Sequence, residues 1–227
     1  NIIFEDYARK YSVEHFSLKK KISPRSFQKK AIKAWIKKKR GVVSLPTGSG
    51  KTILSVMLIE KIGRPTLIHV PTIDLMRQWK DVLSEYFNLP IGLLGGGIND
   101  IRTITVATYD SALIHVEDKG NRFGFLVFDE CHHLPSEQIK FTALSSIAPF
   151  RLGLSATPER NDGKESFLYE LCGPLCYEIH IDELSGNTLA PYEVKTIEVE
   201  MLSEDREKYE SAREYYIEFL RKSRINF

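Results

Sequence analysis

From Pro24 onward the chain alternates short uninterrupted apolar runs with longer stretches of helical periodicity. Gly41–Leu45 is a β-branched run, and Thr52–Ile62 follows as an apolar helical stretch. Pro65–Val70 predicts a strand. Thr72–Phe87 predicts a helix with Leu75, Trp79, Val82, Leu83 and Tyr86 on one face. Ile101–Ala107, Gly124–Phe128 and Arg151–Leu154 predict further strands. Continuous apolar strands interleaved with helices indicate a parallel sheet covered on both faces, with functional loops at the carboxyl ends of the strands. Beyond Gly173 the texture changes. Ile197, Val199 and Met201 alternate with acids, as on a half-exposed strand. Ser203 can cap a helix that runs toward Arg224, with Tyr209, Ala212, Tyr216 and Leu220 along one side. Residues 1–23 show no clear element and read as the tail of something upstream.

Composition narrows the class. The chain has 227 residues, of which 42% are hydrophobic and 27% charged, ordinary values for a globular domain with a sizeable core. No apolar run approaches a membrane span, so no membrane partner is expected. Three cysteines, one of them (Cys131) inside an acidic motif, argue against a disulfide framework and for a reducing compartment. The net charge of +2 hides an asymmetry. Residues 19–40 hold eleven Lys or Arg and no acid, whereas residues 182–218 hold eleven Asp or Glu against four Lys or Arg. Such a basic block suits phosphate neutralisation, or simply a solvated helix face.

Three segments carry the chemistry. Leu45-Pro46-Thr47-Gly48-Ser49-Gly50-Lys51-Thr52 reads as a phosphate-binding loop, departing from the strict pattern only where Leu45 replaces the first glycine. Its backbone N–H groups and helix dipole face phosphate oxygens, Lys51 reaches the terminal phosphates, and the Thr52 hydroxyl binds Mg²⁺. Asp129-Glu130-Cys131-His132 follows an apolar strand, which places two acids at a strand end. Asp129 then holds Mg²⁺ through water, and Glu130 is the base or water-positioning group. Ser155-Ala156-Thr157 comes next. In that order the three imply ATP hydrolysis. Cys172-x-x-x-Cys176-x-x-x-His180 invites a zinc reading, but tetrahedral zinc needs four ligands and no second Cys pair exists. Leu184-Ser185-Gly186-Asn187 falls short of a transporter-ATPase signature.

With these motifs the chain resembles the first RecA-like motor domain of a superfamily 2 helicase of the XPB type, closer to archaeal than to eukaryotic members. The resemblance implies a RecA-like P-loop NTPase fold, mostly parallel, spanning residues 24–202, with a C-terminal helix at 203–227 leading toward a second motor domain. Pro24-Arg25-Ser26-Phe27-Gln28 matches the family's adenine-recognition motif, with Gln28 on the adenine edge. Arg25 either stacks on the base or makes a local salt bridge. Val70–Trp79, Gly95-Gly96-Gly97 and Val106-Ala107-Thr108-Tyr109 resemble the strand-contacting motifs. These imply nucleic-acid contacts at Thr72, Gly96, Thr108 and Tyr109 that position a strand without reading its sequence. His132 matches the histidine of the DExH box, and Ser155 and Thr157 match the motif coupling nucleotide state to the second domain. One departure stands out: the family's Arg-Glu-Asp triplet reads Arg160-Asn161-Asp162 here, keeping Arg160 as a DNA contact but losing the middle carboxylate.

The resemblance therefore implies the ATP-binding half of a DNA translocase or helicase, of 3′-to-5′ polarity and linked to repair or transcription. It uses ATP and Mg²⁺ and sits in the cytoplasm of an archaeon or the nucleus of a eukaryote. No segment like the family's arginine-finger motif follows Thr157, so the second RecA-like domain lies outside these residues. The other reading is a non-catalytic ATPase-fold module that recruits a partner such as a nuclease to DNA.

Overall fold

The computed structural model describes residues 14–119, 121–156, 165–184, 186, 195–197 and 199–222. Thr157 and the Arg160-Asn161-Asp162 triplet, among the expected site residues, lie outside them. The chain divides into two compact units, 1–190 and 191–227.

The first unit is built on an eight-stranded sheet in the order β4-β3-β5-β2-β6-β7-β1-β8. Its central strands are β1 (Arg40–Ser44), β2 (Thr66–Val70), β5 (Ile104–Thr108), β6 (Phe125–Phe128) and β7 (Phe150–Ser155). All pair in parallel, as the uninterrupted apolar runs require. Three strands lie outside the runs picked out in the sequence. β3 (Ile91–Gly95) and β4 (Ile98–Asp100) form an antiparallel hairpin, and β8 (Leu175–Glu178) is a half-buried edge. Gly96 and Gly97 turn the hairpin with φ of 58° and 82°. A two-residue turn of that hand fits glycine at both positions, which accounts for the triple glycine.

Alternate strand residues feed two cores. Ile68, Val127 and Leu154 face α1 (Ser26–Lys38), α2 (Lys51–Ile62) and α3 (Ile73–Tyr86). Leu67, Phe128 and Val42 face α4 (Tyr109–Lys119), α5 (Lys140–Leu144) and α6 (Glu165–Cys172). The buried face of α3 is Met76, Trp79 and Leu83. Residues 14–22, which had no predicted element, join the first core: Phe16 is buried edge-on against Phe87, and Leu18 bridges to the same residue. Arg151 is a buried charged residue. Its guanidinium donates to the carbonyls of Leu171 (2.8 Å), Ser146 (2.7 Å) and Ala148 (3.3 Å), so each nitrogen of the buried fork has a partner. α7 (Ile181–Leu184) follows the sheet.

The second unit contains α8 (Ser203–Lys222). The alternation at Ile197, Val199 and Met201 does not form a strand. The described residues there are irregular, with Ile197 and Val199 about four-fifths exposed (79% and 82%). Ser203 is the first helical residue rather than the cap; the Leu202 carbonyl accepts from the Asp205 and Arg206 N–H groups. No described helix is long and apolar enough to cross a membrane.

Candidate functional site

The site forms where β1, β6 and β7 end side by side. Leu45 follows β1 and donates its N–H to the Ser155 carbonyl at 2.9 Å, tying the phosphate loop to the end of β7. Inside the loop, Ser49 is fully buried and both its N–H and its hydroxyl bond to the Pro46 carbonyl, closing a tight turn. Thr47 and Gly48 sit at its exposed crest. Gly50 begins α2 with φ of 93° and ψ of 40°. A side chain there would be strained by that backbone and would meet the Gln28 amide nitrogen at 2.8 Å. No side chain caps α2, so the N–H groups of its first turn, at Lys51 and Thr52, stay available to an anion.

Gln28 and Arg25 stand behind the loop. Gln28 is buried; its amide nitrogen donates to the Ser49 and Gly50 carbonyls at 3.4 and 3.3 Å, and its oxygen accepts the Arg25 N–H at 3.0 Å. Its polar atoms thus brace the phosphate loop, a use the family motif did not suggest. The Arg25 side chain is exposed.

The acidic pair closes the other side. β6 ends at Phe128, and Asp129 donates its N–H to the His69 carbonyl at 2.9 Å, continuing the ladder one residue further. Glu130 then turns the chain with φ of 48° and ψ of 52°, a left-handed conformation that strains any residue with a Cβ by roughly 1–2 kcal/mol. That turn brings the Glu130 carboxylate 3.3 Å from Lys51 Nζ, joining the two motifs. His132 lies in the short 3-10 turn Cys131–His133, with Nδ1 3.2 Å from Ser155 Oγ and 3.5 Å from Glu130 Oε2. Lys51, Glu130, His132 and Ser155 are therefore one connected cluster.

Asp129 is nearly buried. Its Oδ2 accepts the Trp79 indole N–H at 2.7 Å, its Oδ1 accepts the Glu130 N–H at 3.1 Å, and its carbonyl accepts the Tyr109 hydroxyl at 2.9 Å. Burial raises its carboxyl above the ordinary range; the Trp79 bond opposes that rise, Glu130's charge adds to it and Lys51's reduces it. His69 packs beneath, stacked on Phe128 with centroids 4.6 Å apart. Burial lowers its pKa to about 4, so it is neutral and its Nδ1–H donates to the Val127 carbonyl at 3.2 Å. The donors offered to a metal are the Asp129 carboxylate and the Thr52 hydroxyl in the first turn of α2. Mg²⁺ fits that sparse set, since it keeps several waters and takes phosphate oxygens to complete its shell. Among the described residues no group of three or more His, Cys, Asp or Glu could form a protein-only cage. Cys172 is buried with its thiol pushed up to about 12, and Cys176 Sγ lies against the Arg40 and Pro174 carbonyls.

The expected strand contacts lie along the same carboxyl edge, but are built differently. Thr72 caps α3, its hydroxyl accepting the Leu75 N–H at 3.2 Å. Thr108 Oγ1 accepts the Ser111 N–H at 3.3 Å and donates to the Ser111 hydroxyl. Gly96 is exposed on the hairpin turn. Tyr109 requires a correction: its ring is only 2% exposed, so it presents no face to a strand. The motif's tyrosine is instead a support under Asp129. The spacing of Trp79 marked it as a core residue, and nothing in the pattern revealed its bond to Asp129. Part of the basic block lies away from this edge. Lys29, Lys33 and Lys37 rim a groove of about 860 Å³ on the outer face of α1 and α2, floored by Ile22, Ile32 and Met57.

Residues 21–160 match the family described as the res subunit of type III restriction enzymes. The DNA 3′-5′ translocase XPB2 of Sulfurisphaera tokodaii is 44% identical over 203 residues, 89% of this chain and 46% of the relative. The DNA 3′-5′ helicase XPB of Mycobacterium tuberculosis is 33% identical over 200 residues, 83% of this chain and 36% of the relative. The chain thus spans less than half the length of these relatives. In three dimensions the UvsW helicase of bacteriophage T4 superposes with a TM-score of 0.61 at 24% identity, over 72% of this chain and 63% of that one, a likeness of fold.

Proposed function

The chain belongs to the family of the type III restriction enzyme res subunit, and we propose that it is the ATP-binding half of an XPB-like, ATP-dependent DNA translocase or helicase. Its relatives are named for 3′-5′ action on DNA, which supports that substrate and polarity here. The observation carrying the reading is the Lys51–Glu130 pair. Two motifs separated by most of the sheet meet at 3.3 Å, and a strained backbone at Glu130 holds them there. Strain of that kind persists where the surrounding structure over-determines it, as at catalytic sites.

In the proposed mechanism the terminal phosphates dock on the open N–H groups of α2, and Lys51 turns from Glu130 to the phosphate oxygens. That exchange frees the Glu130 carboxylate to orient the attacking water and accept its proton. Thr52 and Asp129 would hold Mg²⁺, which would neutralise charge on the phosphates. His132 links Glu130 to Ser155 at the end of β7, and with Thr157 would relay nucleotide state to the second RecA-like domain. Gln28 and Arg25 border the adenine side. Arginine donors from that second domain would complete the charge stabilisation.

The test is an equilibrium titration with Mg·ATP. Lys51→Ala should weaken binding about 10- to 100-fold, the worth of charge-assisted hydrogen bonds of about 1.5–3 kcal/mol, without loss of fold. Unchanged affinity would refute the phosphate-loop assignment.

A further inference from the structure

Asp129 is gripped from both faces of the sheet. From one helical layer, Trp79 on α3 donates its indole N–H to Oδ2 at 2.7 Å, a buried bond between residues fifty positions apart. From the other layer, Tyr109 at the start of α4 donates its hydroxyl to the Asp129 carbonyl at 2.9 Å. With Oδ1 held by the Glu130 N–H, the carboxylate has a single orientation, and the lone pairs left for a metal-bound water are fixed with it. A core position needs only volume. An indole N–H buried there is an additional requirement, met here by Asp129 alone.

Both donors belong to elements that open with a proposed strand contact. Thr72 caps α3, and Trp79 lies seven residues on, about two turns or 10 Å along a continuous helix. Between them α3 is one unbroken helix, so a displacement of its N-terminus carries Trp79 with it as part of the same rigid element. Thr108 ends β5, and Tyr109 follows it directly.

We infer that Trp79 is a positioning residue that passes nucleic-acid contact at the start of α3 to the metal-holding carboxylate of Asp129, with Tyr109 as the opposing support. This rests on the reading of the site as an Mg·ATP site beside a nucleic-acid surface. A strand drawn against Thr72 shifts α3 along its axis, the indole moves with it, and the Asp129 carboxylate is reset. The nucleic acid thereby tunes metal affinity without touching the nucleotide.

The experiment uses the full-length protein with Trp79→Phe, and separately with benzothienylalanine at position 79, in which sulfur replaces the N–H in an otherwise isosteric ring. Two quantities are read: the Mg²⁺ concentration that half-saturates binding of a fluorescent ATP analogue, with and without single-stranded DNA, and the ratio of DNA-stimulated to basal turnover. In the unsubstituted protein DNA should lower the half-saturating Mg²⁺ concentration. In both variants that shift should vanish and the stimulation ratio fall about tenfold, the size typical of losing a donor behind a metal ligand. Absence of the shift in the unsubstituted protein would overturn the inference. So would a benzothienyl variant that behaves like the unsubstituted protein, because Trp79 would then be packing alone. Lys51→Ala is the control for the underlying reading. If it weakens nucleotide binding as expected while the position-79 variants keep the DNA-dependent shift, only the inference fails; if it leaves nucleotide affinity intact, the reading itself has failed.

Discussion

Helices begin in two ways along the carboxyl edge of this sheet. α2 opens from Gly50 in a left-handed conformation with no side-chain cap. α3 and α4 open behind Thr72 and Thr108, whose hydroxyls accept the Leu75 and Ser111 N–H groups. A capped start has already satisfied one of its orphan donors internally and is more stable for it. An open start leaves them for an anion, at some loss to the apo fold. Of these three starts, α2 keeps the most donors free for an anion, and the other two each commit one to a threonine hydroxyl. A strand contact at Thr72 or Thr108 then shares its helix start with a cap that already holds the Leu75 or Ser111 N–H.

The sharpest way to test the contrast is to remove chemistry from the open end and stability from the capped one. Glu130→Gln should keep nucleotide binding in the complete motor and lower turnover by roughly 10²–10⁴-fold, the range for a general base. Steady-state ATPase beside an equilibrium titration separates the two effects, and retained turnover would remove Glu130 from the role.

The second prediction concerns the floor beneath Asp129. His69 has its pKa lowered to about 4 by burial, while the unfolded chain titrates near 6.5. Between those values the unfolded state binds more protons, so stability falls as pH falls through that window and is insensitive to this residue above it. The whole shift corresponds to about 3 kcal/mol. Denaturant unfolding between pH 7 and 4.5 should show a loss that His69→Phe flattens, and an identical pH slope in that variant would contradict the assignment.

Thr72→Ala should lower stability by about 1 kcal/mol, the usual worth of a cap, and Thr72→Ser should restore it. If thermal unfolding is unchanged, α3 is not capped as described. The smallest effect is expected far from this edge. Lys37, Lys38 and Lys39 lie at the other end of α1, a 13-residue helix about 20 Å long. Over two Debye lengths of saline their charge is largely screened from the strand-end loops. Reversing all three should change single-stranded DNA affinity less than about twofold at 0.15 M salt. A steep loss of affinity and salt slope would return the basic block to the nucleic-acid surface.

The sequence made some of this visible and hid the rest, for physical reasons. Buried parallel strands advertise themselves because both faces must be apolar, so β1, β2, β5, β6 and β7 were evident within a few residues of their ends. β3 was not, because Ile91–Gly95 runs into glycines that read as loop and its partner β4 is only three residues long. β8 is a half-buried edge whose polar residues break the pattern. At the site, Lys51, Asp129 and Glu130 were legible because phosphate chemistry fixes both residue type and local spacing. The commitments of Gln28 to the loop carbonyls, Trp79 to Oδ2 and Tyr109 to the Asp129 carbonyl were not. Each joins elements distant in sequence, and side chains of those types serve equally well in other settings. At Ile197–Met201 the alternation describes a face, but among the described residues there no strand forms and the apolar side chains stay exposed.

The central claim is that these residues hold ATP from one side only and need a second RecA-like domain for transition-state charge. Steady-state ATPase with and without single-stranded DNA, on this 227-residue chain and on a polypeptide that continues through the second domain, tests it most directly. The account predicts slow, DNA-insensitive hydrolysis from the shorter chain and DNA-stimulated turnover from the longer. Robust DNA-stimulated hydrolysis by the 227-residue chain alone would contradict it.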